Sequence, residues 1–172
     1  MELKNTKTYE YFHTLLNQSI ATTGTTLNFF TANGDSVVSN VGAAGRVPQP
    51  FEVQTVEMGI TPNQELDTYA KMNAFLKVIT FSRLLVRRGT DNVIDFLVGD
   101  LFQIGFQAGT FTLNQIAIPT YARKYQVSNQ NTQLILFPSD TTSFQLFTPL
   151  TIDTGISVNA SLRLNGINGG IQ

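Results

Sequence analysis

With 172 residues, a formal net charge of −1 and no cysteine, the chain can bury one sizeable core; disulfide staples, thiolate metal sites and a cysteine nucleophile are excluded. Eleven Lys and Arg spread over the length make no basic stripe, so the usual electrostatic basis of nucleic-acid binding is missing. Hydrophobic residues make 42% and charged ones 13%, while Thr, Asn, Gln and Ser supply about a third, which excludes disorder and suits half-buried β surface.

Along the first residues, Tyr9, Phe12, Leu16 and Ile20 recur at helical spacing, which predicts a short amphipathic helix from Thr8 to Ile20. It lies in an expected N-terminal arm, residues 1–25, ahead of one β domain, residues 26–172. The helix lacks the Lys/Arg face of a membrane-surface helix, so its expected role is docking against this or a neighbouring subunit, with Phe12 and Leu16 as contacts. The opening MELKNTKTYEYFH has no apolar core of a secretory signal, and no run of about 18 apolar residues predicts a spanning helix.

After the TTGTT loop, Thr22 to Thr26, the chain reads as short strands punctuated by turns. LNFF (27–30) leads to Asn33-Gly34, a strong hairpin dipeptide, then DSVVSNV and a Gly/Pro-rich crossing from Gly42 to Pro50. In FEVQTVEMGI (51–60), alternation places Gln54, Val56, Met58 and Ile60 on one face and Val53, Thr55 and Glu57 on the other. Between residues 69 and 88, Met72, Phe75, Leu76 and Ile79 suit a helix, but Val78, Ile79, Thr80 and Phe81 prefer strand, so strand is expected from Ala74. VIDFLV, GTFTLNQIAI, TQLILF, SFQLF and GISVNASLRLNGI are further strands, with Pro119, Pro138 and Pro149 at their ends or interruptions. Many short strands with little helix indicate an all-β fold, an antiparallel sandwich or barrel.

Chemistry is sparse. His13 is the single histidine, no G-x-S-x-G is present, and the expected place of His13 is a surface or interface. Asp91, Asp95 and Asp100, or Glu52 and Glu57, are the carboxylates that could flank a glycosidic bond; Glu52 and Glu57 differ by an odd number, which points them apart on a regular strand. No EF-hand or His/Cys cluster appears, and GAAG (42–45) lacks the Lys-Ser/Thr of a phosphate loop. Asn17-Gln18-Ser19 and Asn159-Ala160-Ser161 match the glycosylation pattern, which carries little weight without a secretory signal. Hence no catalytic, metal or cofactor-binding set is expected, and the chain reads as a non-enzyme. Most of the 13 Phe belong to core or interface; Phe29 and Phe30 are adjacent in a strand and face opposite ways, so one is expected to leave the core for a partner.

Residues 84–97, LLVRRGTDNVIDFL, read as a hairpin with a four-residue loop from Gly89 to Asn92. That register sets Arg88 opposite Val93, Val86 opposite Asp95, Leu85 opposite Phe96 and Arg87 opposite Ile94. Arg88 and Asp95 are then diagonal partners, while Arg87 and Asp91 remain at the tip as candidate subunit contacts.

Taken in order, a short arm, a strand pair, PFEVQTVEMGI, a strand ending in RRG, VGDLF and the closing FTPLTIDTGISVNASLRLNGI resemble one family. It is the single jelly-roll capsid proteins of tailless icosahedral double-stranded DNA viruses with an internal membrane, most like the small major capsid proteins of Thermus lipid-containing phages. The resemblance implies an eight-stranded jelly roll and a capsid location in the virion after synthesis in the host cytoplasm. It also implies partners: further copies of the chain in a homodimer or larger capsomer, a second capsid protein and the viral membrane. It brings no catalytic residues, nucleic acid or small-molecule substrate. The second reading is a lectin-like or receptor-binding β-sandwich of a virion spike, with loop residues such as Tyr121 and Tyr125 reading sugars.

Overall fold

The computed structural model describes residues 3–31, 39–41, 46–100, 125–126, 134–139, 142–148 and 151–171. In chain order they form β1 (Leu3–Ile20), β2 (Thr25–Phe29), β3 (Phe51–Pro62), α1 (Tyr69–Phe81), β4 (Arg83–Arg88), β5 (Asp91–Leu97), a 3-10 turn (Val98–Asp100), β6 (Tyr125–Gln126), β7 (Leu134–Leu136), β8 (Thr142–Thr148) and β9 (Ile156–Ile171). One sheet runs β1-β9-β3-β6, with β7 also paired to β3; the other runs β2-β8-β4-β5, and every pairing is antiparallel. The chain is an all-β sandwich carrying one helix. The expected Asn33-Gly34 hairpin, GAAG and GTFTLNQIAI lie outside the described residues.

The N-terminal helix expected over 8–20 is instead strand β1, paired along its length with β9 from Leu3↔Ile171 to Ile20↔Ile156. The cause is a bulge. Tyr11 and His13 are buried, but a register shift between Leu15 and Gln18 inserts a residue, so Ile20 also faces inward. Asn17 occupies the bulge at φ 55°, a left-handed conformation that asparagine tolerates better than most side chains. Odd-then-even burial mimics a helical repeat.

Strand β3 has the same device. A shift between Val53 and Thr55 brings Phe51 and Val53 inward together with Val56, Met58 and Ile60. The uniform alternation expected for 51–60 is therefore corrected: Val53 and Val56 share the core, and Gln54 is exposed.

Residues 69–81 are helix, where strand was expected from Ala74. Thr68 caps its start, its side chain accepting the Lys71 N–H at 3.3 Å, and Lys71 pairs with Asp67 at 2.7 Å. Lys71 holds the Asp67 carboxyl below its usual pKa. Ala74, Phe75, Val78 and Ile79 are buried, a helical stripe that outweighs the β preference of Val78 to Phe81. On its other side the helix is tied to the segment before β9: Asn73 donates to Asp153 at 3.1 Å, and Lys77 lies 3.4 Å from the same carboxylate. The 3-10 turn seats on the helix end, with Val98 N–H donating to Ser82 C=O at 2.8 Å.

The β4–β5 hairpin turns on two residues, Gly89 and Thr90, rather than four. Gly89 alone of the pair takes positive φ, 62°, as a II′ turn requires. Arg88 faces Asp91, Arg87 faces Asn92, and a bulge at Val93 restores Val86↔Ile94, Leu85↔Asp95 and Leu84↔Phe96. The expected Arg88–Asp95 diagonal is thus replaced by Arg83–Asp95, N···O 2.8 Å. Arg88 instead reaches across the sandwich to the carbonyl of Ile135 in β7.

The core cluster includes Tyr11, Phe29, Phe51, Phe75, Met58, Leu84, Leu134, Leu146, Ile152 and Leu162, all fully buried. Each such side chain contributes about 1.5–3 kcal/mol by leaving water. Tyr11 meets Phe51 edge to face at 4.8 Å, and burial raises its hydroxyl's pKa.

Candidate interaction surfaces

Pairing registers place the outward side chains in rows. On the first sheet, crossing β1, β9 and β3, the rows include Thr8, Ile167, Glu52; Glu10, Asn165, Thr55; Phe12, Arg163, Glu57; Thr14, Ser161, Gly59; and Ser19, Ser157 with Asn63 just beyond β3. Short uncharged groups dominate, and the charges gather at one end. Arg163 lies 3.8 Å from Glu10, and Asn165 donates to Glu57 at 3.0 Å. Gly59 leaves room here for the Ser161 hydroxyl, which a Cβ would meet at 2.7 Å and push aside.

Where β1 bulges, an amide cluster forms. Asn159 Oδ1 accepts the Asn17 N–H at 3.0 Å, Asn63 donates to the Asn17 side chain, and Asn159 donates to Asn63 at 3.3 Å. Gln64 accepts the Ser157 N–H at 3.0 Å beside it. These amides bond one another and pin the bulge. Both glycosylation-pattern asparagines, Asn17 and Asn159, belong to this cluster.

Among the described strands β1 lies at the sheet's edge, and part of that edge is already occupied. Asn40 acts as a surrogate strand: its Oδ1 accepts the Phe12 N–H at 2.7 Å, its Nδ2 donates to Glu10 C=O at 2.7 Å, and its N–H donates to Phe12 C=O at 3.2 Å. Leu16, past this cover, is 50% exposed.

The other sheet has outward rows Thr26, Phe147, Arg83, Leu97 and Asn28, Gln145, Leu85, Asp95, then Ser143, Arg87, Asn92. Gln145 donates to Asn28 at 2.9 Å, and Arg87 Nε donates to Asn92 at 2.9 Å. Leu85 lies between the Gln145–Asn28 and Arg83–Asp95 pairs and is only 7% exposed.

Of the residues expected at subunit contacts, Phe12 is half-buried on the outer face of β1 and Leu16 is exposed. Phe29 and Phe30 are both buried in the chain's own core, 1% and 7% exposed, so the expected outward ring is corrected. The reason is Phe30's φ of 58°, which breaks strand alternation and turns its ring onto Phe144, 5.4 Å away edge to face. Arg87 is held by Asn92, and Asp91 sits exposed at the hairpin tip near the Thr90 hydroxyl. These six residues do not converge on one place. His13, expected at a surface or interface, is buried in the chain's own core against Phe29 and Phe30, and burial lowers its pKa.

Sequence reasoning missed Arg83, Leu97 and Phe147. The signal was available: in SFQLF the core takes Phe144 and Leu146, which leaves Phe147 as an aromatic on the polar phase. Tyr121 lies outside the described residues, and Tyr125 pairs with Val56. Among the described residues no group of three His, Cys, Asp or Glu is placed to hold a metal, and no helix is long and apolar enough to cross a membrane. No protein-family model and no curated protein matches the chain.

Proposed function

We infer that the sandwich is a jelly roll and that the chain is a structural subunit of an icosahedral viral shell, assembling through subunit contacts over an internal membrane. Strand order carries the reading. β1 pairs with β9, β2 with β8, β3 with β7 and β6, and β4 with β5, so the first half of the chain meets the second in reverse order. That is one long antiparallel ribbon. Its wrapping is completed where β9 also pairs with β3 and β8 with β4. β6 and β7 follow one another along the same edge of β3 and fill one strand position. Double-sheet rolls of this order include viral capsid domains.

The surface agrees with the topology. Outer rows of Ser, Thr, Asn and Gly, with few and mostly paired charges, have little to desolvate when covered, which suits a contact repeated by symmetry. Light scattering over a concentration series, with electron microscopy of the products, tests the reading. Discrete oligomers or closed shells, formed alone or with a second shell protein, are the expected result; a strict monomer under all these conditions contradicts it.

A further inference from the structure

Among the described residues, the exposed large apolar side chains of the second sheet, Leu97 and Phe147, lie in one row. Phe147, Arg83 and Leu97 are lateral neighbours across β8, β4 and β5, and Phe81 ends α1 two residues ahead of Arg83. Phe147 is 37%, Leu97 38% and Phe81 48% exposed. At the centre lies one balanced charge pair: Arg83 Nε donates to Asp95 Oδ1 at 2.8 Å, and both groups remain accessible to water.

Two properties of this patch define its occupant. Exposed phenylalanine beside an arginine matches the residue types enriched at interfaces over the rest of a protein surface. A cation beside an anion is also its own complement under a two-fold rotation, since Arg83 of one copy then faces the partner's Asp95 and the reverse. A strongly acidic or basic partner gains nothing from a neutral pair, whereas an identical patch does. We propose that Leu97 and Phe147, flanking Arg83 and its partner Asp95, form a two-fold contact between copies of this chain. The proposal rests on the shell-subunit reading and names one of its repeated contacts.

Charge reversal tests it. Arg83→Asp and Asp95→Arg are purified separately, checked for wild-type circular dichroism and melting, and compared with wild type by light scattering, alone and mixed one to one. Each variant alone presents like charges to itself and is expected to self-associate at least about tenfold more weakly than wild type. Mixed, an all-acidic patch meets an all-basic one, and association returns. Variants that associate as strongly as wild type overturn this surface while leaving the shell reading intact. A mixture that fails to recover association overturns the two-fold pairing. A wild type that is monomeric throughout overturns the two-fold contact; the shell reading falls only if it also fails to assemble with a second shell protein. Should either reversal misfold, Phe147→Ser on the exposed row serves as the second variant, and its unchanged association overturns the surface equally.

Discussion

His13 Nδ1 accepts the backbone N–H of Phe30 at 2.8 Å, and the two rings lie 5.6 Å apart at a 30° tilt. The bond joins the middle of β1 in one sheet to the end of β2 in the other, and it satisfies the amide of a residue held at positive φ. Only a neutral imidazole can accept there. Around the ring stand Phe29, Phe30, Leu162 across β9 and Ser39 at the edge bridge, none of which offers a charge to offset protonation.

Burial therefore lowers the folded-state pKa of His13 below its unfolded value of about 6.5. The unfolded chain then binds the extra proton first. Stability is fully present above about pH 6.5 and is lost as pH falls from there towards the depressed folded value. Replacing His13 with Gln removes the titration and retains an acceptor. Thermal melts between neutral pH and about pH 5 are expected to fall more steeply for wild type than for His13→Gln. Parallel curves would contradict the account of this residue.

Gly166 in β9 lies against the β3 bulge, where an added Cβ would overlap the Glu52 carbonyl. Backbone is the obstacle, so relaxation is costly. Gly166→Ala is expected to destabilise the fold by about 1–3 kcal/mol. Gly155→Ala meets only the Ile20 carbonyl at 3.5 Å and is expected to be tolerated. Denaturant midpoints for the two variants give the comparison; equal midpoints would contradict this packing.

Ser82 and Thr148 share a buried hydroxyl pair, Oγ to Oγ1 3.0 Å, between the end of α1 and the end of β8. Ser82→Ala leaves the Thr148 hydroxyl unpaired and is expected to cost about 1–3 kcal/mol. Adding Thr148→Val removes the stranded group, so the double variant is expected to lose less than the two single losses combined. Strict additivity in the unfolding free energies would mean the hydroxyls do not interact.

How far the sequence reveals this molecule depends on bulges. The sandwich was legible because Gly89, Pro62 and the Asx- and Thr-rich stretches separate short β-branched runs. β1 was not, because the insertion at Leu16–Asn17 changes which parity faces the core and leaves Tyr9, Phe12, Leu16 and Ile20 at a false helical period. α1 was misread for the opposite reason: local β preference in Val78–Phe81 yields to a capped start at Thr68 and a buried stripe that only tertiary packing rewards. Arg87 and Asp91 stand out at the hairpin tip in the sequence, yet the ion pair between β4 and β5 is Arg83–Asp95, visible only once the register is known.

Shell membership is tested most directly by the copy number of this chain in purified virus particles, measured by quantitative mass spectrometry against a labelled standard. A shell subunit is present in many equivalent copies, in proportion to the icosahedral lattice and at a fixed ratio to any second shell protein. Recovery outside particles, or in the few copies that fit a vertex spike, would contradict the account.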